Sequence, residues 1–272
     1  MIFRPILALI FALNCVAAYG QNAPQIYLDN TRRIQGDEIR VCVDDTAVGA
    51  PFDRAVAEAI GQALFLNVVF DKSPSGFPIN GGGFLEELQI RMNKNCDLVM
   101  GMSLQTGNLY PDWVSPTRVY ATVPYVLAAL DPSYESLSDI PNDHFVGTSL
   151  GSSGEWAFIT AMSQRAEGQR WKRLPYADKA LMLERLRDGR LSAILLWQPM
   201  LQKLLSGDPD AADIRVISPE PIEVATVRVG GLVSSRDDFL RSQIDSAIDA
   251  LIQDGTISMI MDDLGFEGTP GG

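Results

Sequence analysis

Gly147-Thr148-Ser149-Leu150-Gly151 is a literal G-x-S-x-G, the spacing at which a hydrolase exposes a nucleophilic serine between a strand and a helix. That chemistry needs a histidine later in the chain to take the serine proton. The one histidine, His144, stands upstream of the match, so the relay cannot be assembled in that order. His144 also lacks company for a metal, because one imidazole and a pair of cysteines do not supply a tetrahedral set; it is read as a turn residue. Asp44-Asp45 has the residue types of an acid–base pair, but neighbours at a strand end point to opposite sides. One of them is expected to face a cleft and the other to cap the next helix. The glycine triplet at residues 81–83 fits neither a dinucleotide loop nor a phosphate loop, which leaves a flexible loop.

Two stretches suit binding better than catalysis. Gly151-Ser152-Ser153-Gly154 would place free amides and hydroxyls at a helix start, where carboxylates and other anions bind; simple N-capping by Ser153 is the alternative. Trp197 and Gln198 end an apolar strand, where open α/β sheets put cleft residues.

The frame that must position these residues is large. The chain has 272 residues, 46% hydrophobic and 21% charged, enough for one large or two medium domains. Residues 1–20 carry Arg4, an apolar run at 6–13 and small residues ending at Gly20, the layout of an export signal. The run is shorter than the roughly 20 residues of a membrane anchor, and Asn14 before Cys15 is a poor fit to lipidation. Without Arg4 the chain carries 21 basic against 34 acidic residues, a net charge of −13. Such a surface repels phosphate backbones and anionic membranes, so neither nucleic acid nor membrane is an expected partner. Cys42 and Cys96 are then the remaining cysteines, and in an exported chain an even pair is expected to be bridged. Two buried thiols are the other possibility.

Strand and helix patterns alternate along the chain, the signature of layered α/β structure. Strands are expected at residues 39–43, 66–70, 97–102, 119–130, 145–148, 192–197, 215–218 and 223–233. Helices are expected at 53–64, 84–93, 153–166, 178–187 and 198–205, with a helical pair at 236–264. The stretch at 119–130, rich in Val, Tyr and Thr and holding Pro124, suits an edge or crossing strand. With residues 223–233 crossing back, the first lobe takes residues 21–122 and 227–272, and the second takes 123–226.

In this order of elements the chain resembles the type II periplasmic binding proteins, specifically solute-binding protein family 3. The residues that carry the likeness are CDLVMGM from Cys96 followed by Thr106, GRLSAILLW ending at Trp197, and LIQDGTISMIMDDLGF ending at Phe266. The resemblance implies two α/β lobes joined by two crossing strands and closing on a small ligand, usually for an importer. Amino-acid binders of that family hold the ligand carboxylate with an arginine where this chain has Leu109, and the amine with an aspartate where it has Trp197. A bidentate arginine contact is hard to replace. RVCVD at 40–44, NCDLVMGM at 95–102 and LLWQP at 195–199 are similar to the MxaJ and XoxJ type, the methanol-dehydrogenase-associated members, whose cysteines occupy matching places. That likeness implies a periplasmic accessory of a PQQ-dependent alcohol dehydrogenase, its partner being the quinoprotein or its cytochrome c. A receptor of an ABC importer for a small ligand other than a typical amino acid is the second reading. Either way the chain is expected to be no enzyme and to hold no cofactor. Asp44, Asp45, Phe52, Met102, Ser103, Arg118, Ser152, Ser153 and Trp197 are expected to line the cleft.

Overall fold

A computed structural model describes residues 36–72, 83–104, 110–223 and 225–272. The expected export signal, Thr106 and Leu109 lie outside the described residues.

The chain opens with β1 (Glu38–Val43), α1 (Ala50–Ala63), β2 (Asn67–Lys72), α2 (Phe84–Lys94) and β3 (Leu98–Ser103). β1 pairs in parallel with β2 on one side and β3 on the other. A central strand is buried on both faces, hence the nearly unbroken apolar run through Ile39, Val41, Cys42 and Val43. α1 begins at Ala50, ahead of the expected residue 53, because Pro51 is tolerated in a first turn where its missing N–H is not needed. Cys42 is bridged to Cys96, just ahead of β3, with Cα atoms 5.6 Å apart.

β4 (Val114–Ala129) is the longest strand, and it changes partners along its length. Its first part pairs antiparallel with β9 (Thr226–Ser234) from Val114↔Ser234 to Pro124↔Thr226. From Tyr125 onward it pairs with β7 (Ala193–Trp197) and β8 (Arg215–Ile217). Pro116 is accommodated where the register with β9 shifts, since a bulge spares the ladder a donor that proline lacks. β9 also pairs with β3. The second sheet is completed by β5 (Phe145–Ser149), which pairs in parallel with β7 and with the edge strand β6 (Lys172–Tyr176). β6 was not expected from sequence, because only Leu174 and Tyr176 interrupt its polar pattern.

Helices α3 (Ser153–Ser163), α4 (Lys179–Arg187) and α5 (Gln198–Leu205) cover the second sheet. α6 (Asp238–Gln253) and α7 (Thr256–Leu264) return to the first, and β10 (Thr269–Pro270) adds to β4. The last two helices are the expected helical pair, separated at Gly255, which takes the left-handed φ of 84°.

Four apolar clusters follow from this layering. One joins α1, α6 and α7 to the first sheet around Ile60, Val123 and Ile248. Another packs α2 on the opposite face around Leu88 and the disulfide. The remaining two occupy the two faces of the second sheet, around Phe158 and Trp171 and around Met182 and Leu196. Among the described residues, no helix is long and apolar enough to cross a membrane.

Candidate functional site

The strand ends of the two sheets meet around Trp197. This residue closes β7, opposite Tyr125 of β4, so the two side chains share one face of the sheet. Although its strand belongs to the second sheet, Trp197 packs against the apolar cluster of the first. There it meets Phe266 edge-on, with centroids 6.3 Å apart, and Phe266 stacks on Phe52 at 4.8 Å. Phe52 in turn tilts against Tyr120 at 5.8 Å. The indole Nε1 is shut off from solvent and has no hydrogen-bond partner among the described residues.

Beneath this aromatic row lies a buried carboxylate. Asp53, in the first turn of α1, is 3% exposed. The Tyr120 hydroxyl donates to its Oδ1 at 2.5 Å and accepts from the Gly101 N–H at 3.0 Å. Burial pushes the Asp53 carboxyl up to about 7, a shift that the Tyr120 hydrogen bond only partly offsets. Tyr120 is raised well above the ordinary phenol value by burial, with the nearby Asp53 charge adding to it. The other oxygen, Oδ2, is flanked by two glycines. A Cβ on Gly101 would stand 2.5 Å from it and one on Gly49 3.2 Å, and the latter would also lie 3.7 Å from the Trp197 ring. Gly101 has φ 77°, which a side chain would strain in any case.

The helix start that could bind an anion is already furnished from within. Ser152, not Ser153, is the N-cap of α3, its Oγ accepting from the Glu155 N–H at 3.1 Å. The Glu155 carboxylate turns back to accept from the Gly151 N–H at 2.7 Å and the Thr148 hydroxyl at 3.0 Å, and it pairs with Arg173. The Tyr125 ring lies under Gly154, where a Cβ would be 2.5 Å from it. Burial raises the Tyr125 hydroxyl, which also meets the Ser152 side chain and the Ser153 backbone.

A cavity of about 770 Å³ opens beside the aromatic row, between the loop before α1, α5, β8 and the turn after α7. Asp45, Val48 and Pro51 line it from the loop before α1, Gln198 and Gln202 from α5, and Phe266 from the turn after α7. Across it Gln198, 3% exposed, accepts from the Glu267 N–H at 3.2 Å. Its volume falls in the range that small-molecule sites occupy.

Of the residues expected in the cleft, Phe52 and Trp197 converge through Phe266, and Ser152 and Ser153 converge on Tyr125. Asp45 reaches the cavity wall but is paired with Arg54 at 2.5 Å. Asp44 closes a turn on Thr46, whose N–H and hydroxyl both donate to it. Neither aspartate caps α1, whose N-cap is Gly49, so the expected division of labour between them does not hold. Arg118 points away from the aromatic row: it is 60% exposed and pairs with Asp249 of α6 at 3.0 Å. Met102 packs on the α2 cluster, on the far face of β3 from Phe52. Ser103 is exposed at the end of β3. His144 is bonded to Ser192 at 2.9 Å, clear of the G-x-S-x-G serine. No group of three or more His, Cys, Asp or Glu that could hold a metal occurs among the described residues.

No protein-family model matches the sequence, and no curated protein matches it. Solved structures do. The second substrate-binding domain of GlnP from Lactococcus lactis, in an open conformation, superposes with a TM-score of 0.62 at 16% identity, covering 85% of this chain and 97% of its own. The substrate-binding protein of a polar amino acid ABC uptake transporter from Streptococcus thermophilus gives 0.62 at 16% identity, over 93% and 92%. That of an ABC uptake transporter from Streptococcus pneumoniae, with bound histidine, gives 0.55 at 18%, over 86% and 94%. Likeness at such identities speaks for architecture and not for ligand: this chain has the two-lobed α/β fold of the periplasmic binding proteins.

Proposed function

We propose that the protein is a non-catalytic solute-binding protein that captures a small organic molecule between its two sheets and presents it to an importer outside the cytoplasm. One observation carries this reading: a cavity of about 770 Å³ between the loop before α1 and the turn after α7 on one side and α5 and β8 on the other, in a molecule whose two sheets share β4. In this reading the lobes are residues 21–122 with 227–272, and residues 123–226. The three fold neighbours named above, each titled as a substrate-binding protein or domain, favour it.

The ligand is other than a typical amino acid. Leu109 stands where the resemblance calls for a carboxylate-holding arginine. Arg118 is engaged with α6, and the start of α3 is occupied by Glu155. Pairing with a quinoprotein dehydrogenase rests on the sequence likeness alone, and the fold neighbours lend it no support. The Cys42–Cys96 bridge is a feature both readings share.

Thermal melts of the mature protein with a panel of neutral, cationic and anionic solutes test the proposal. A ligand present at a hundred times its Kd stabilises by about 2.7 kcal/mol, which raises Tm by roughly 5–10 °C in a chain of this size. Stabilisation by free amino acids alone would overturn the ligand class, and silence across the whole panel would overturn the receptor role.

A further inference from the structure

Between α3 and β6 the second sheet carries a cavity of its own. It holds about 350 Å³ and is lined by Phe158, Ile159 and Met162 of α3 and by Arg170, Trp171 and Arg173 at the start of β6. None of its lining residues belongs to the larger cavity beside the aromatic row.

The apolar side of this cavity is set before anything enters. Trp171 is 4% exposed and donates its indole N–H to the Ile140 carbonyl at 2.7 Å. The Arg165 guanidinium covers the same ring, 4.6 Å from its centroid. Phe158 and Met162 belong to the apolar cluster on this face of the sheet, and Ile159 stays half-buried beside them.

The polar side is positive in a chain that is acidic as a whole. Residues 165–173 hold Arg165, Arg170, Lys172 and Arg173 against one acid, Glu167, where the full chain has 22 basic and 34 acidic residues. Arg173 is committed to Glu155. Lys172 is turned to the other face of β6, with its ammonium over the Phe145 ring. Arg165 and Arg170 each donate from Nε to a backbone carbonyl, at 3.2 Å to Gln169 and at 2.8 Å to Arg165. Neither forms an ion pair among the described residues, and of the two Arg170 lines the cavity.

We infer that this cavity is a second binding site, for a small monocarboxylate with an apolar body, such as an arylalkanoate or a medium-chain alkanoate. Its carboxylate meets the planar fork of Arg170, and its body lies on Phe158, Ile159 and Met162 beside Trp171. A bare inorganic anion would leave the apolar wall uncovered, and a polyanion would find a single uncommitted guanidinium there. The site stands independently of the solute reading above.

Calorimetry with 3-phenylpropionate and octanoate, set against 3-phenylpropanol, phenethylamine and acetate, tests this. The expected result is saturable binding of at least one of the two larger carboxylates, with the alcohol, the amine and acetate at least about tenfold weaker. Arg170→Ala, at an exposed position, loses the same factor, and Arg170→Lys, which keeps the charge without the fork, falls between. Proton NMR places the site: the Trp171 indole and Met162 methyl signals should move on titration while the Trp197 indole stays. An alcohol that binds as well as its carboxylate, an affinity unchanged in Arg170→Ala, or shifts at Trp197 in place of Trp171 would overturn the inference. So would silence of both larger carboxylates at millimolar concentration. None of these outcomes bears on the receptor reading.

Discussion

The Tyr120 hydroxyl lies 2.5 Å from Asp53 Oδ1 and, on its other side, 3.0 Å from the Gly101 amide. One phenol on β4 thus ties α1 to β3, at the point where the two sheets share their longest strand.

Stability of the unliganded protein is expected to fall as pH rises through this pair. The folded carboxyl titrates at about 7 against 3.8 for the ordinary group. Between those values the native state holds a proton that the unfolded chain releases, so stability is lost from about pH 4 to about pH 7 and is flat beyond. Three units amount to roughly 4 kcal/mol. Asp53→Asn keeps an acceptor for Tyr120 and carries no charge. Urea melts at pH 5 and pH 8 should show the wild type losing more than the variant between the two; equal losses would contradict it.

Gly101→Ala is expected to cost about 1–3 kcal/mol, from left-handed backbone strain combined with overpacking against Asp53. Gly36 has nearly the same φ, 78°, but open space around it. Gly36→Ala therefore measures strain alone and should cost less; equal costs would show that the Asp53 contact is slack.

Truncating Glu155 removes the group that satisfies the Gly151 amide, the Thr148 hydroxyl and Arg173 together. Glu155→Ala should destabilise by about 2–4 kcal/mol, since a half-buried guanidinium and two donors lose their acceptor. Ser152→Ala loses only the cap, about 1 kcal/mol. Denaturant midpoints with unchanged m-values would distinguish the two; a Glu155 effect no larger than the Ser152 effect would contradict this account.

Replacing Cys42 and Cys96 together by alanine should cost about 2–4 kcal/mol, because the bridge closes a long loop in the unfolded chain. Wild-type protein melted with a reductant should approach the double variant, and the variant should not respond. A reductant-insensitive wild type would contradict this.

The alternating α/β order was legible in sequence because each element carries its own period: α1 through Val56 and Ile60, β7 through an unbroken Ala193–Trp197 run. The partner exchange along β4 was legible in part, through its length and its prolines. Of the candidate site, Phe52, Trp197, Ser152 and Ser153 were legible; Asp53, Tyr120 and Phe266 were not, and the reason is local. Asp53 reads as one more charged residue on a helix whose polar face is wet, and nothing in its spacing shows that Tyr120, 67 positions later, will bury it. Phe266 belongs to a turn with no periodicity at all. Arg118 fails in the opposite sense: its place beside a crossing strand suggested the cleft, but strand alternation sends it to Asp249. What turned on long-range pairing had no local signal.

A single unbroken strand serves both halves of the molecule, since β4 passes from β9 to β7 between Pro124 and Tyr125 without a loop. Any swing of one half against the other must therefore be absorbed as torsion of a ribbon whose ladder bonds persist at either end. Such a joint behaves as a leaf spring with a restoring force, and its travel ends where the ladder would have to tear.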